Sequence, residues 1–181
     1  ATATPTRTAT TAPSNGLKLS PGQIGVNLAG AEFTDTKIPG TYNSDYTYPT
    51  ASEYDYYASK GLTLIRLPFR WERIQPVLGA PLDPTELSRL DQQVAYASAR
   101  GMRLILDVHN YARYRIPNGS GGVNTYIIGD SDGVVTVSDF QDLWTRLAAH
   151  FAGTSTIWAY DLMNEPHDMG ATSWATIAQA A

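Results

Sequence analysis

The chain has 181 residues, 43% of them hydrophobic, with 13 basic and 17 acidic side chains and a net charge of −4. That is enough for one sizeable folded domain, and an acidic balance without a basic patch speaks against nucleic acid as a partner. No apolar stretch approaches the roughly 20 residues of a membrane helix, and the lack of cysteine rules out disulfides and thiolate metal sites.

Ala1 to Asn15 consists almost entirely of Ala, Thr, Pro and Ser, with Arg7 its one charge. Such a segment cannot bury apolar surface, and it has no apolar run of the signal-peptide kind. Residues 1–15 therefore read as an extended linker of the sort that joins domains of secreted enzymes, or as a frayed terminus. The folded body is expected over residues 16–181.

From Gly16 onward, short apolar runs alternate with helical patterns. Ile24 to Leu28 reads as a first strand, followed by a helix from Ala51 to Lys60 that Gly61 stops. Leu62 to Leu67 is a second strand. Asp83-Pro84-Thr85-Glu86 combines an N-cap, a Pro at the first helical position and an acid three residues after the cap. That helix runs to Arg100 and closes at Gly101, and Met102 to Val108 is a third strand. Between residues 110 and 137, Tyr126-Ile127-Ile128 and Val134 to Val137 flank Asp-Ser-Asp-Gly, which predicts a β-hairpin. Asp130-x-Asp132-Gly133 lacks the remaining ligands of a calcium loop and reads as its turn. Ser138 and Gln141 predict a capping box for a helix ending at Phe151. Thr156 to Met163 is a fourth strand, and Ser173 to Ala181 begins a helix.

Strands and helices alternating across such short gaps mean parallel βα units. A doubly wound sheet and a barrel both produce that order. No Gly-rich phosphate turn follows the first strand, which weighs against a dinucleotide fold. Polar groups instead finish several strands: Asn27, Arg66, His109, Asn164 and Glu165. That pattern belongs to the C-terminal face of a (β/α)8 TIM barrel. A full barrel takes about 250 residues, so the expected fold is α/β with the first four βα units of a barrel.

Each candidate has a structural alternative. Arg66 lies inside an apolar strand and must be paired, either structurally, with Glu53 or Asp107, or to orient and ionise a catalytic carboxylate. His109 could pack, or hydrogen-bond a sugar or the acid site; no ligand spacing supports a metal there. Glu72 and Arg73 read as a solvated face, and Trp71 as a sugar platform or a lid over the core. The loop aromatics Phe33, Tyr42, Tyr46, Tyr48, Tyr111, Tyr114 and Tyr126 fit sugar stacking. Asn118-Gly119-Ser120 is a formal glycosylation acceptor that reads as a turn. His167 and Asp168 support the site or are solvated, and His150 is assigned no function.

Four motifs in order resemble the retaining cellulases of glycoside hydrolase family five. They are Gly25 to Phe33, Ile65-Arg66-Leu67-Pro68-Phe69, Asp107-Val108-His109-Asn110-Tyr111 and Met163-Asn164-Glu165-Pro166-His167. Ala31-Glu32-Phe33 and Glu165 to Met169 look most like the bacterial and fungal endo-β-1,4-glucanases of that family. The resemblance implies that Glu165 is the general acid/base and that Asn164 binds the 2-hydroxyl of the sugar being cleaved. It implies that Arg66 supports the nucleophile and that His109 lines the site, with Asn27, Asn110, Tyr111 and His167 contacting substrate. It also implies a β-glucan substrate, no cofactor, no membrane partner, secretion, and a carbohydrate-binding module as the candidate upstream of the linker.

One element of the family pattern is missing. The family's nucleophilic Glu ends the seventh barrel strand, and no Glu follows Glu165 here. The expectation is the N-terminal half of an endoglucanase, truncated before its nucleophile and inactive alone. The alternatives are a non-catalytic half-barrel that binds glucan or assembles with a partner half and, within the enzyme class, a mannanase or xyloglucanase.

Overall fold

A computed structural model describes residues 23–181; the linker reading of residues 1–15 lies outside them. In chain order the elements are β1 (Gly25–Asn27), α1 (Ala51–Ser59), β2 (Leu64–Phe69), α2 (Trp71–Ile74), α3 (Pro84–Ser98), β3 (Arg103–Val108), β4 (Arg113–Pro117), β5 (Val123–Ile127), α4 (Val137–His150), β6 (Ile157–Asp161) and α5 (Trp174–Ala180). β1, β2, β3 and β6 form one sheet in that order, every pairing parallel. This is the first half of a (β/α)8 barrel, as expected.

The two faces of the sheet differ, because side chains alternate along a strand. Ile65, Leu67, Phe69, Leu104, Leu106 and Val108 are fully buried on one face. They pack against residues of the surrounding helices, among them Tyr54, Leu90, Ala97, Leu143 and Leu147. Burying each such side chain stabilises by about 1.5–3 kcal/mol. Asn27, Arg66, Ile105, Ala159 and Asp161 occupy the other face and are at least partly open.

β2 continues two residues past its expected end, through Pro68. Leu28 N–H donates to Arg66 O at 3.0 Å, so Arg66 turns its backbone groups toward β1. Pro68, two residues on, presents the same side beyond the end of β1, where the ladder asks for no N–H. β6 stops two residues early, and the Trp144 indole N–H donates to the Leu162 carbonyl just past its end at 3.2 Å.

Caps and hairpin depart from expectation in instructive ways. Asp83 accepts from Thr85 N and Glu86 N, both at 2.9 Å, as an N-cap should. Glu86 does not close the box; it is buried beneath the Tyr46 and Tyr48 hydroxyls and pairs with Arg89. α4 is capped by Thr136 rather than Ser138, with Thr136 N–H donating to Asp139 at 2.8 Å and Asp139 N–H to Thr136 Oγ1 at 3.1 Å. The hairpin lies earlier than expected, pairing Arg113–Pro117 with Val123–Ile127. Asn118 makes its turn by accepting from Ser120 N and Gly122 N. Residues 129–136 form a loop, in which Asp130 accepts from Ser131 N and Ala171 N.

Candidate active site

The C-terminal ends of the four parallel strands converge on Arg66. Its Nε donates to Asp161 Oδ2 at 2.9 Å and its Nη1 to Asn27 Oδ1 at 3.3 Å. Nη2 meets Asp107 Oδ2 and Asn164 Oδ1, each at 2.9 Å. Of the two ion-pair partners expected, Asp107 is present. Glu53 instead accepts from Thr50 N at 2.7 Å, capping α1. One planar fork thus joins residues from all four strand ends, which a lysine could not do.

Asp107 is fully buried and its Oδ2 also meets His109 Nδ1 at 2.7 Å. Burial pushes the Asp107 carboxyl above the usual carboxylate range, and the His109 hydrogen bond and Arg66 charge partly offset this. With the His109 proton on Nδ1 toward Asp107, Nε2 accepts from the Tyr111 hydroxyl at 3.1 Å. Tyr111 and Ala112 both hold positive φ, 56° and 59°.

Glu165 lies beyond β6. Asn164 N–H still donates to Val108 O at 2.9 Å, prolonging the ladder by one bond. Glu165 then adopts φ 40° and its side chain is exposed. A non-glycine residue held at positive φ costs about 1–3 kcal/mol, and such strain clusters at functional sites. His167 is exposed as well, bonded through Nδ1 to Asp168 at 2.8 Å with its ring 6.1 Å from that of Tyr111.

The fold therefore gathers Asn27, Asn164, Asp107 and Asp161 around Arg66, ties His109 in through Asp107, leads directly into Glu165, and sets Tyr111 beside both His109 and His167. Asn110 leaves the substrate-contacting set. It is fully buried; its Oδ1 accepts from Trp71 N, and its Nδ2 donates to Glu72 and to Arg113 O.

Glu72 and Arg73 are buried, not solvated. Glu72 accepts from Arg115 N at 2.8 Å, while Arg73 donates to the carbonyls of Ala31, Phe33, Thr34 and Pro39 and lies over the Tyr46 ring. Trp71 is core, packed edge-on against Tyr114. Tyr46, Tyr48 and Tyr114 are likewise buried; Phe33 is 52% exposed. Asp161 is the site residue the sequence reading missed. Its signal in the sequence is only a lone acid in an apolar run; its register with Asp107 comes from the strand pairing.

A family profile described as Cellulase (glycosyl hydrolase family 5) matches residues 24–181. The chain belongs to glycosyl hydrolase family 5. It is similar to the manganese-dependent endoglucanase Eg5A of Phanerodontia chrysosporium, 34% identical over 160 residues, covering 87% of this chain and 38% of that protein. Among solved structures, the endo-β-1,4-glucanase Xac0029 of Xanthomonas axonopodis pv. citri superposes with TM-score 0.74 at 46% identity, covering 86% of this chain and 46% of the other. The Pseudomonas stutzeri endoglucanase Cel5A, solved with cellobiose, gives TM-score 0.76 at 38% identity, with 87% and 44% covered. The chain thus spans under half the length of each of these proteins.

Proposed function

We propose that residues 16–181 are the acid/base half of a retaining endo-β-1,4-glucanase whose nucleophile comes from a later barrel strand. The observation that carries this reading is the Arg66 fork. It fixes Asn164 immediately beside the strained Glu165, at the barrel face where active sites are built. Glu165 protonates the glycosidic oxygen as the bond to the sugar breaks, then takes a proton from the water that releases the sugar from the nucleophile. Arg66 donates into Asn164 Oδ1, so the two Nδ2 protons remain for the sugar's 2-hydroxyl. The same Arg66, neutralised by Asp107 and Asp161, stands at the open face to support the incoming nucleophile. Asn27, Tyr111, His109 and His167 line the approach.

The substrate reading is β-1,4-glucan, supported by the endoglucanase names of the relatives and the cellobiose bound to one structural neighbour. Secretion, with residues 1–15 linking to a carbohydrate-binding module, accords with their Thr/Pro composition. The test assays an enzyme containing these residues on carboxymethylcellulose, mannan, xyloglucan and mixed-linkage glucan, following the first-released anomer by proton NMR. Preference for β-1,4-glucan with release of the β-anomer is expected; mannan preference or release of the α-anomer would overturn the proposal.

A further inference from the structure

The loop bearing Glu165 is anchored at both ends. Asn164 is held by Val108 O and Arg66, and Ala171 N–H donates to Asp130 at 3.1 Å. Between those anchors the chain passes through two residues at positive φ, Glu165 at 40° and Asp168 at 43°. Aspartate tolerates that geometry better than most side chains, but nothing in the local sequence favours it at Glu165.

Arg113 reaches the middle of this span. Its Nη1 donates to the carbonyls of Tyr111, at 2.6 Å, and of His167, and its Nη2 approaches Asp168 O at 3.3 Å. All three acceptors are backbone carbonyls, so the guanidinium fixes chain position. Its own base is stiff. Arg113 N–H donates to Asn110 O at 2.8 Å, and Arg113 O accepts from the buried Asn110 amide at 3.0 Å. The residue is also paired with Ile127 in the hairpin. Arg113 therefore connects a rigid platform after β3 to the loop after β6. Arg73 does the equivalent for the loop after β1, through four carbonyls.

We infer that Arg113 is a positioning residue that holds the Glu165 loop, and through it the Glu165 carboxyl, in place for proton transfer. The inference rests on Glu165 being the acid/base. An acid displaced by about 1 Å loses on the order of 100-fold in rate, and the loss falls on substrates whose leaving group needs the proton.

The experiment makes Arg113→Ala, Arg113→Lys and Glu165→Gln in an enzyme containing this chain. Each is assayed on a cellooligosaccharide and on a dinitrophenyl cellobioside, whose leaving group needs little acid help. Both Arg113 variants are expected to lower kcat on the oligosaccharide about 100-fold with KM within about threefold. Lysine should not rescue, because it lacks the planar fork. On the activated substrate kcat/KM should stay within about fivefold.

Equal losses on both substrates together with a lowered Tm would make Arg113 a structural brace and overturn the inference. So would unchanged oligosaccharide turnover in Arg113→Ala while Glu165→Gln abolishes it. Near-normal turnover in Glu165→Gln would instead remove the acid reading on which the inference stands.

Discussion

Arg66 meets four side chains with one planar group, and this sets what its replacement should do. Arg66→Lys keeps the charge for Asp107 and Asp161 but cannot hold Asn27 and Asn164 as well. In an enzyme containing this chain, activity should fall at least about 100-fold, while Tm falls by less than about 4 °C. Parallel losses would return Arg66 to a purely structural ion pair. Asp107 makes a prediction of opposite kind. Burial raises its folded pKa above the unfolded value, so the folded state binds that proton more tightly. Its contribution to stability is fully present below the unfolded pKa and is lost as pH rises through the folded one. Urea midpoints taken from about pH 3.5 to 7 should show the wild-type chain losing stability relative to Asp107→Asn. The reverse slope would mean that Arg66 and His109 outweigh burial.

At the level of elements, the four parallel strands and the long helices are legible in the sequence because apolar period and flanking breakers coincide; the hairpin strands are not. Gly61 and Gly101, at φ 80° and 64°, end their helices where expected. What is not legible is which of several equivalent polar residues a tertiary partner claims. Glu86 has the spacing of a capping box, yet two tyrosines and Arg89 take it. Glu72 and Arg73 look like a solvated pair, but the loops after β1 and β3 fold over them and supply backbone partners. Asn110 looks like a sugar ligand for the same reason. Its neighbours in the Asp107-to-Tyr111 motif face the site, while its own side chain turns into the loop base. The cap of α4 is a case that mutation can decide. Thr136→Ala should cost about 1 kcal/mol in chemical denaturation, and Ser138→Ala, at an exposed position, should stay within about 0.5 kcal/mol.

For the molecule as a whole, the half-barrel was readable from βα alternation and from polar strand ends. The joining of those ends through Asp107 and Asp161 was not, because it depends on strand register. Among the described residues, β1 and β6 each have one neighbour in the sheet, which leaves both edges open. Beside β6, Phe151, Ile157, Trp158 and Tyr160 line a groove against α4. Expressed as these 181 residues, the chain should self-associate on size-exclusion chromatography and leave carboxymethylcellulose intact, since retaining chemistry needs two carboxyl groups about 5 Å apart. A monodisperse, active monomer would mean that Glu32 or Asp107 serves as the second carboxylate. Glu32, however, already accepts from Gly30 N at 2.7 Å, and Asp107 is held by Arg66 and His109. The most direct test of the central claim is Glu165→Gln in an enzyme containing this chain, measured on a cellooligosaccharide and on a dinitrophenyl cellobioside. We predict that oligosaccharide turnover is nearly abolished, while kcat/KM on the activated substrate is largely retained; near-normal oligosaccharide turnover would contradict the assignment of Glu165 as the acid/base.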